Sequence, residues 1–88
     1  MFNKYLVEFL GTCFLVFIIL ATGNPLAIGA ALALSILLTK DISGGHLNPA
    51  VSITMASLGN LPVKDLIPYV LAQVFGGLVA LEIFKRMV

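Results

Sequence analysis

Apolar residues fill this chain in three long blocks separated by short polar clusters, with a fourth block too short to match them. The first block runs from about Tyr5 to Ala21. As a helix at 1.5 Å per residue it would reach roughly 26 Å, close to the ~30 Å hydrocarbon core of a bilayer. Thr22-Gly23-Asn24-Pro25 then turns the chain, with Asn24 as an N-cap and Pro25 at the first helical position. The second block runs from Pro25 to about Thr39 and stops at Lys40-Asp41, and the third runs from about Leu66 to Phe84 and closes on Lys85-Arg86.

The short block from Asn48 to about Leu58 reaches only about 16 Å, half a bilayer. Gly59-Asn60-Leu61-Pro62 ends it, and Lys64-Asp65 returns the chain to water. Counting crossings puts the N-terminus and both Lys-Asp pairs on one side, with Lys85 and Arg86 on the other. The stretch between Lys40 and Lys64 must therefore dip in and come back. In lipid, non-helical backbone is tolerated only where protein buries it or where it lines a polar cavity. The expected fold is an all-α membrane protein of one unit, residues 1–88. It has three transmembrane helices (about 5–21, 25–39 and 66–84) and a re-entrant loop with a half-helix (about 42–58).

Composition narrows the class. Of 88 residues, 60% are hydrophobic and 10% charged, and mean hydropathy is +1.12. A soluble domain of this size needs far more polar surface. The net charge of +1 leaves no nucleic-acid footprint. Met1-Phe2-Asn3-Lys4 could open a signal peptide, but the apolar run continues through Ala21 without an obvious cleavage site. Small residues recur at helical spacing, Ala27, Ala31, Ser35 and Thr39 on one segment (with Gly29 and Ala33) and Ala72, Gly76 and Ala80 on another. Such stripes let backbones approach closely.

Few polar residues remain to carry chemistry. Glu8 lies one turn inside the first span, where a carboxylate needs a partner. It reads either as a proton or ion carrier or as an acceptor for the N–H groups of the re-entrant loop. Gln73, halfway along the last span, reads as a loop support in the same way. Glu82 beside Lys85 and Arg86 reads as a surface ion pair. His46 is a proton relay, a pore-lining side chain or a loop fixture, and it has no companions at metal-ligand spacing. Cys13 reads as a packing residue. No nucleophile–base pair or cofactor motif is present, so neither an enzyme nor a bound cofactor is expected. Asn48 is the stronger candidate. As cap of a half-helix it would spend its side-chain oxygen on the backbone and present its NH₂ at mid-membrane. The helix end adds about half a positive charge there, an arrangement that repels cations and protons.

The chain resembles the aquaporin/aquaglyceroporin (major intrinsic protein) family, specifically its first half. The residues carrying the likeness are Val7-Glu8-Phe9-Leu10-Gly11-Thr12, then Ile42-Ser43-Gly44-Gly45-His46-Leu47-Asn48-Pro49-Ala50-Val51, then Pro68-Tyr69-Val70-Leu71-Ala72-Gln73-Val74-Phe75-Gly76-Gly77. Members of that family join two such halves in inverted orientation, and their two half-helices meet at the membrane centre. Here there is one half.

The resemblance implies a pore centre at Asn48, Pro49 and Ala50 and a carbonyl track at Gly44, Gly45 and His46. Counted from the Asn, the family's outer constriction falls on Ile28, Ile36, Gly45 and Val51, without its usual Arg and aromatic. An antiparallel homodimer would complete the pore, as in inverted-repeat transporters. Lys4, Lys40 and Lys64 on one side against Lys85 and Arg86 on the other give almost no orientation bias, so dual topology is expected. The family's pores cluster in fours, which implies a tetramer of dimers. The expected function is passive passage of glycerol-like polyols and ammonia, with water as a further candidate. The alternatives are a non-conducting structural membrane subunit, a half that needs a different partner half, and a rotary-ATPase proteolipid. The last is disfavoured because Glu8 lies near a helix end.

Overall fold

A computed structural model describes residues 3–87. Four helices follow in order, α1 (Lys4–Thr22), α2 (Pro25–Thr39), α3 (Pro49–Leu58) and α4 (Val63–Met87), with no strand among the described residues. The fold is all-α.

Asparagine starts each of the first three helices. Asn3 Oδ1 accepts from the N–H groups of Tyr5 and Leu6, Asn24 Oδ1 from those of Leu26 and Ala27, and Asn48 Oδ1 from that of Ala50. Pro25 and Pro49 follow their caps directly, where a missing N–H leaves nothing unpaired. Gly23 and Gly59 end α1 and α3 in the left-handed conformation.

α1 and α4, with 19 and 25 residues, are long and apolar enough to cross a membrane; α2 has 15 residues and α3 only 10. α4 begins at Val63, ahead of the Leu66 read from hydropathy, and continues past Phe84 to Met87. Lys64 and Asp65 lie inside its first turn rather than before it, and the helix dipole favours a carboxylate there.

α1 packs against α4 and α2, and α3 packs against α4. The buried face of α1 is Val7, Glu8, Gly11 and Thr12, and that of α2 is only Ala31, Ser35 and Thr39. On α4 the buried line runs Asp65, Tyr69, Gln73, Gly76, Ala80, passing beside Ala72, which is half-buried. Gly76 is where α1 and α4 come closest. A Cβ there would lie 2.6 Å from the Phe9 carbonyl oxygen.

Burial is inverted relative to a water-soluble bundle. Glu8, Ser52 and Asp65 are fully enclosed, while Leu10, Leu37, Leu38 and Phe75 face outward. Exposed leucines around buried polar groups suit a chain whose solvent is lipid. At one end, Lys4 Nζ and Tyr5 Oη donate to the two oxygens of Asp65 at 2.6 and 2.5 Å. That ion pair fixes the start of α1 and the start of α4 at the same end of the bundle. At the other, Glu82 lies 3.7 Å from both Lys85 and Arg86, in exposed pairs.

Candidate functional site

The loop between α2 and α3 turns sharply because three of its residues take positive φ. Gly44 and Gly45 sit at φ 92° and 64°, and Leu47 at 58°. Glycine occupies the left-handed region freely, whereas Leu47 carries about 1–2 kcal/mol of strain there. The loop is held in this shape by Glu8. Its Oε1 accepts from Leu47 N–H at 2.8 Å and from Gln73 Nε2 at 2.8 Å. Its Oε2 accepts from Ser43 Oγ at 2.6 Å and from His46 N–H at 3.0 Å. Four donors and no acceptor surround the group, which suits an acceptor-only carboxylate. Tyr69 Oη adds a bond to the Ser43 carbonyl at 2.7 Å.

A second line of polar contacts ties the loop to the half-helix. Gln73 Nε2 also donates to Ser52 Oγ at 2.9 Å, and Ser52 Oγ lies 2.8 Å from His46 Nδ1. Ser52 is fully buried and is the only buried residue of α3. The His46 ring also leans on Tyr69, centroids 5.2 Å apart.

The loop's remaining polar groups point elsewhere. The carbonyl oxygens of Gly44, Gly45 and His46 accept no hydrogen bond from the described residues. Asn48, exposed at the tip of α3, spends Oδ1 on the Ala50 N–H at 2.8 Å, and its Nδ2 donates to none of the described residues. Pro49 is half-buried and Ala50 exposed beside it.

A cavity of about 450 Å³ opens beneath this tip, lined by Thr12, Val16, Leu47, Asn48, Pro49 and Gln73 among others. Two of its lining residues carry buried atoms with no hydrogen-bond partner, Thr12 Oγ1 and Gln73 Oε1. A separate apolar groove of about 380 Å³ lies between α1 and α2. Ile28, Ile36, Gly45 and Val51 are each half-buried, and none lines either cavity. Ile36 and Gly45 do meet, since a Cβ on Gly45 would lie 3.4 Å from Ile36 Cα. Ile28 and Val51 sit apart from them, on the first turn of α2 and on α3. Among the described residues no three His, Cys, Asp or Glu side chains converge as metal ligands.

The family profile described as Major intrinsic protein matches residues 1–88. The chain belongs to the major intrinsic protein family. It is 43% identical over 95 residues to "Glycerol uptake facilitator protein-like 6" of Lactiplantibacillus plantarum, covering 98% of this chain and 44% of the relative. It is 44% identical over 98 residues to "Aquaporin Z" of Brucella melitensis, covering 94% of this chain and 43% of the relative. "Aquaporin Z" of Rhodopseudomonas palustris is 39% identical over 93 residues, with 89% and 39% covered. The chain spans less than half the length of these curated relatives. As a member of this family it is an integral membrane protein, and its fold is that of half an aquaporin-like inverted repeat.

Sequence reasoning missed Ser43, Ser52 and Tyr69 as parts of the site. Spacing held the signal for two of them. Tyr69 lies one helical turn before Gln73, and Ser52 one turn after Asn48, so each shares a face with a residue already singled out. Ser43 lies in a loop, where periodicity gives no direction.

Proposed function

We propose that this chain forms a passive channel for small neutral solutes, glycerol-like polyols, ammonia and water among them, by pairing two copies in antiparallel orientation. The observation that carries the reading is the division of labour at Asn48. Its Oδ1 closes the helix cap while its NH₂ remains available at the end of a ten-residue helix. Such a helix reaches about 15 Å, half the hydrocarbon core. A second, inverted tip supplies the other half of the path. At the junction two amide donors and two positive helix ends accept a neutral oxygen and repel cations.

The cavity beside Asn48 and Pro49 supports this pairing. Its unpartnered Thr12 and Gln73 atoms await polar partners that a second copy can bring. The unpaired carbonyls of Gly44, Gly45 and His46 supply acceptors along one wall. The apolar Ile28, Ile36 and Val51, with Gly45, narrow both mouths and favour CH-bearing solutes. Three Lys against a Lys and an Arg leave insertion free to go either way. A tetramer of such dimers is the larger assembly we propose. The names of the relatives, a glycerol uptake facilitator and aquaporins, agree with the solute class.

Proteoliposomes containing only this purified chain test the reading. Osmotic swelling in glycerol above the lipid background is the expected result. Swelling that appears only when a different half is added would replace the homodimer with a heteromeric pore, and no swelling in either case would leave a structural subunit.

A further inference from the structure

We propose that Ser52 is a positioning residue that fixes the tautomer of His46, leaving the ring proton on Nε2 beside Gly44. One line of hydrogen bonds leads from Glu8 to the His46 ring. The Glu8 carboxylate can only accept, so the Gln73 amide must turn its NH₂ toward it, as the 2.8 Å contact has it. The same NH₂ gives its second proton to Ser52 Oγ at 2.9 Å. Ser52 therefore has one lone pair occupied and one proton to give. Fully buried, it has a single remaining partner among the described residues, His46 Nδ1 at 2.8 Å. The hydroxyl donates and Nδ1 accepts, so in a neutral imidazole the proton sits on Nε2.

Nε2 has no hydrogen-bond partner among the described residues, and the ring is only half-buried. Its Nε2–Cδ2 edge lies against Gly44, where an added Cβ would come within 3.1 Å of Nε2. A donor thus stands beside Gly44, whose own carbonyl oxygen accepts no hydrogen bond from the described residues. A hydroxyl or a water can give its proton to a carbonyl and take one from Nε2–H, whereas a cation meets an N–H where the other tautomer would offer a lone pair. This consequence for solutes rests on the channel reading; the tautomer itself does not.

Because His46 is the chain's single histidine, nitrogen-15 NMR of histidine-labelled protein in bilayers at mildly alkaline pH reads the ring directly. Wild type should show a protonated, pyrrole-type Nε2 and a bare, pyridine-type Nδ1. Ser52→Ala should shift proton occupancy toward Nδ1, and Ser52→Thr should restore the wild-type pattern. A wild-type proton on Nδ1, or an unchanged pattern in Ser52→Ala, overturns the proposal. Should Ser52→Ala fail to fold, Ser52→Cys, which keeps the volume but weakens the donor, takes its place with the same expected shift. Swelling of the same vesicles separates the two readings. The expected tautomer in a chain that does not conduct removes the channel, while a conducting chain with the proton on Nδ1 removes only the role of Ser52.

Discussion

Leu47 and Glu8, separated by 39 positions, are joined by a 2.8 Å hydrogen bond from the Leu47 N–H to Oε1. Leu47 is also the one non-glycine residue with positive φ among those described, and it is nearly fully buried. A charged acceptor is worth about 1.5–3 kcal/mol to a buried amide, enough to offset the ~1–2 kcal/mol cost of a left-handed leucine. The shape of the loop thus depends on an acid four residues into the first helix's amino-terminal turns.

Replacing that acid tests the dependence. Glu8→Gln keeps one acceptor oxygen and puts an NH₂ where the other stood, so it should free either the His46 or the Leu47 N–H, which bond different carboxylate oxygens. Hydrogen exchange at the freed amide is expected to rise by about ten- to a hundredfold, since an unsatisfied group costs about 1–3 kcal/mol. Protection equal to wild type would mean that the loop is held by something else.

Gly76→Ala should be the most damaging of the helical glycine substitutions. The new Cβ would meet the Phe9 carbonyl at 2.6 Å, and backbone cannot rotate away. Overpacking of this kind costs roughly 1–3 kcal/mol. Gly11→Ala meets only the Leu47 Cδ2 at 2.6 Å, a side-chain end that can move, and Gly29→Ala meets nothing within 4 Å. Thermal melts in detergent should rank them Gly76, Gly11, Gly29 in falling severity.

Orientation is expected to control activity. Replacing Lys85 and Arg86 by Gln leaves all remaining Lys/Arg on one side and should insert every copy the same way up. Accessibility of a C-terminal tag would then become uniform, and glycerol flux from the homodimer should vanish. Flux that survives uniform insertion counts against antiparallel pairing.

The constriction proposed at Ile28 and Val51 can be checked by charge. Ile28→Arg or Val51→Arg should depress glycerol flux several-fold, because each places a guanidinium in an apolar opening. Asn48→Asp, by contrast, should admit protons by adding a negative charge at the helix tip, and a pH-sensitive dye inside vesicles would report the leak. Unchanged behaviour in all three would move the path away from these residues.

Hydropathy and caps carried most of the architecture. Asn24-Pro25 and Asn48-Pro49 mark helix starts in a way that survives any packing, because cap chemistry is local. The start of α4 was less legible. Lys64 and Asp65 read as a polar boundary, yet Lys4 neutralises Asp65 from 61 positions away and lets the helix begin before it. Long-range pairing of this kind leaves no periodic trace. In the site, Glu8 and Gln73 stand out because polar groups are rare in an apolar run. Ser43, Ser52 and Tyr69 are ordinary in membrane helices and loops, and only their partners give them a purpose.

The half-helix α3 settles into the bundle through little more than one enclosed hydroxyl, with Ile53 and Leu58 turned outward. So small a seat gives a lone copy little reason to hold its tip in one place. In the proposed pairing a second copy closes over that tip, so abundance in the membrane, through mass action, would govern how many copies carry a finished tip.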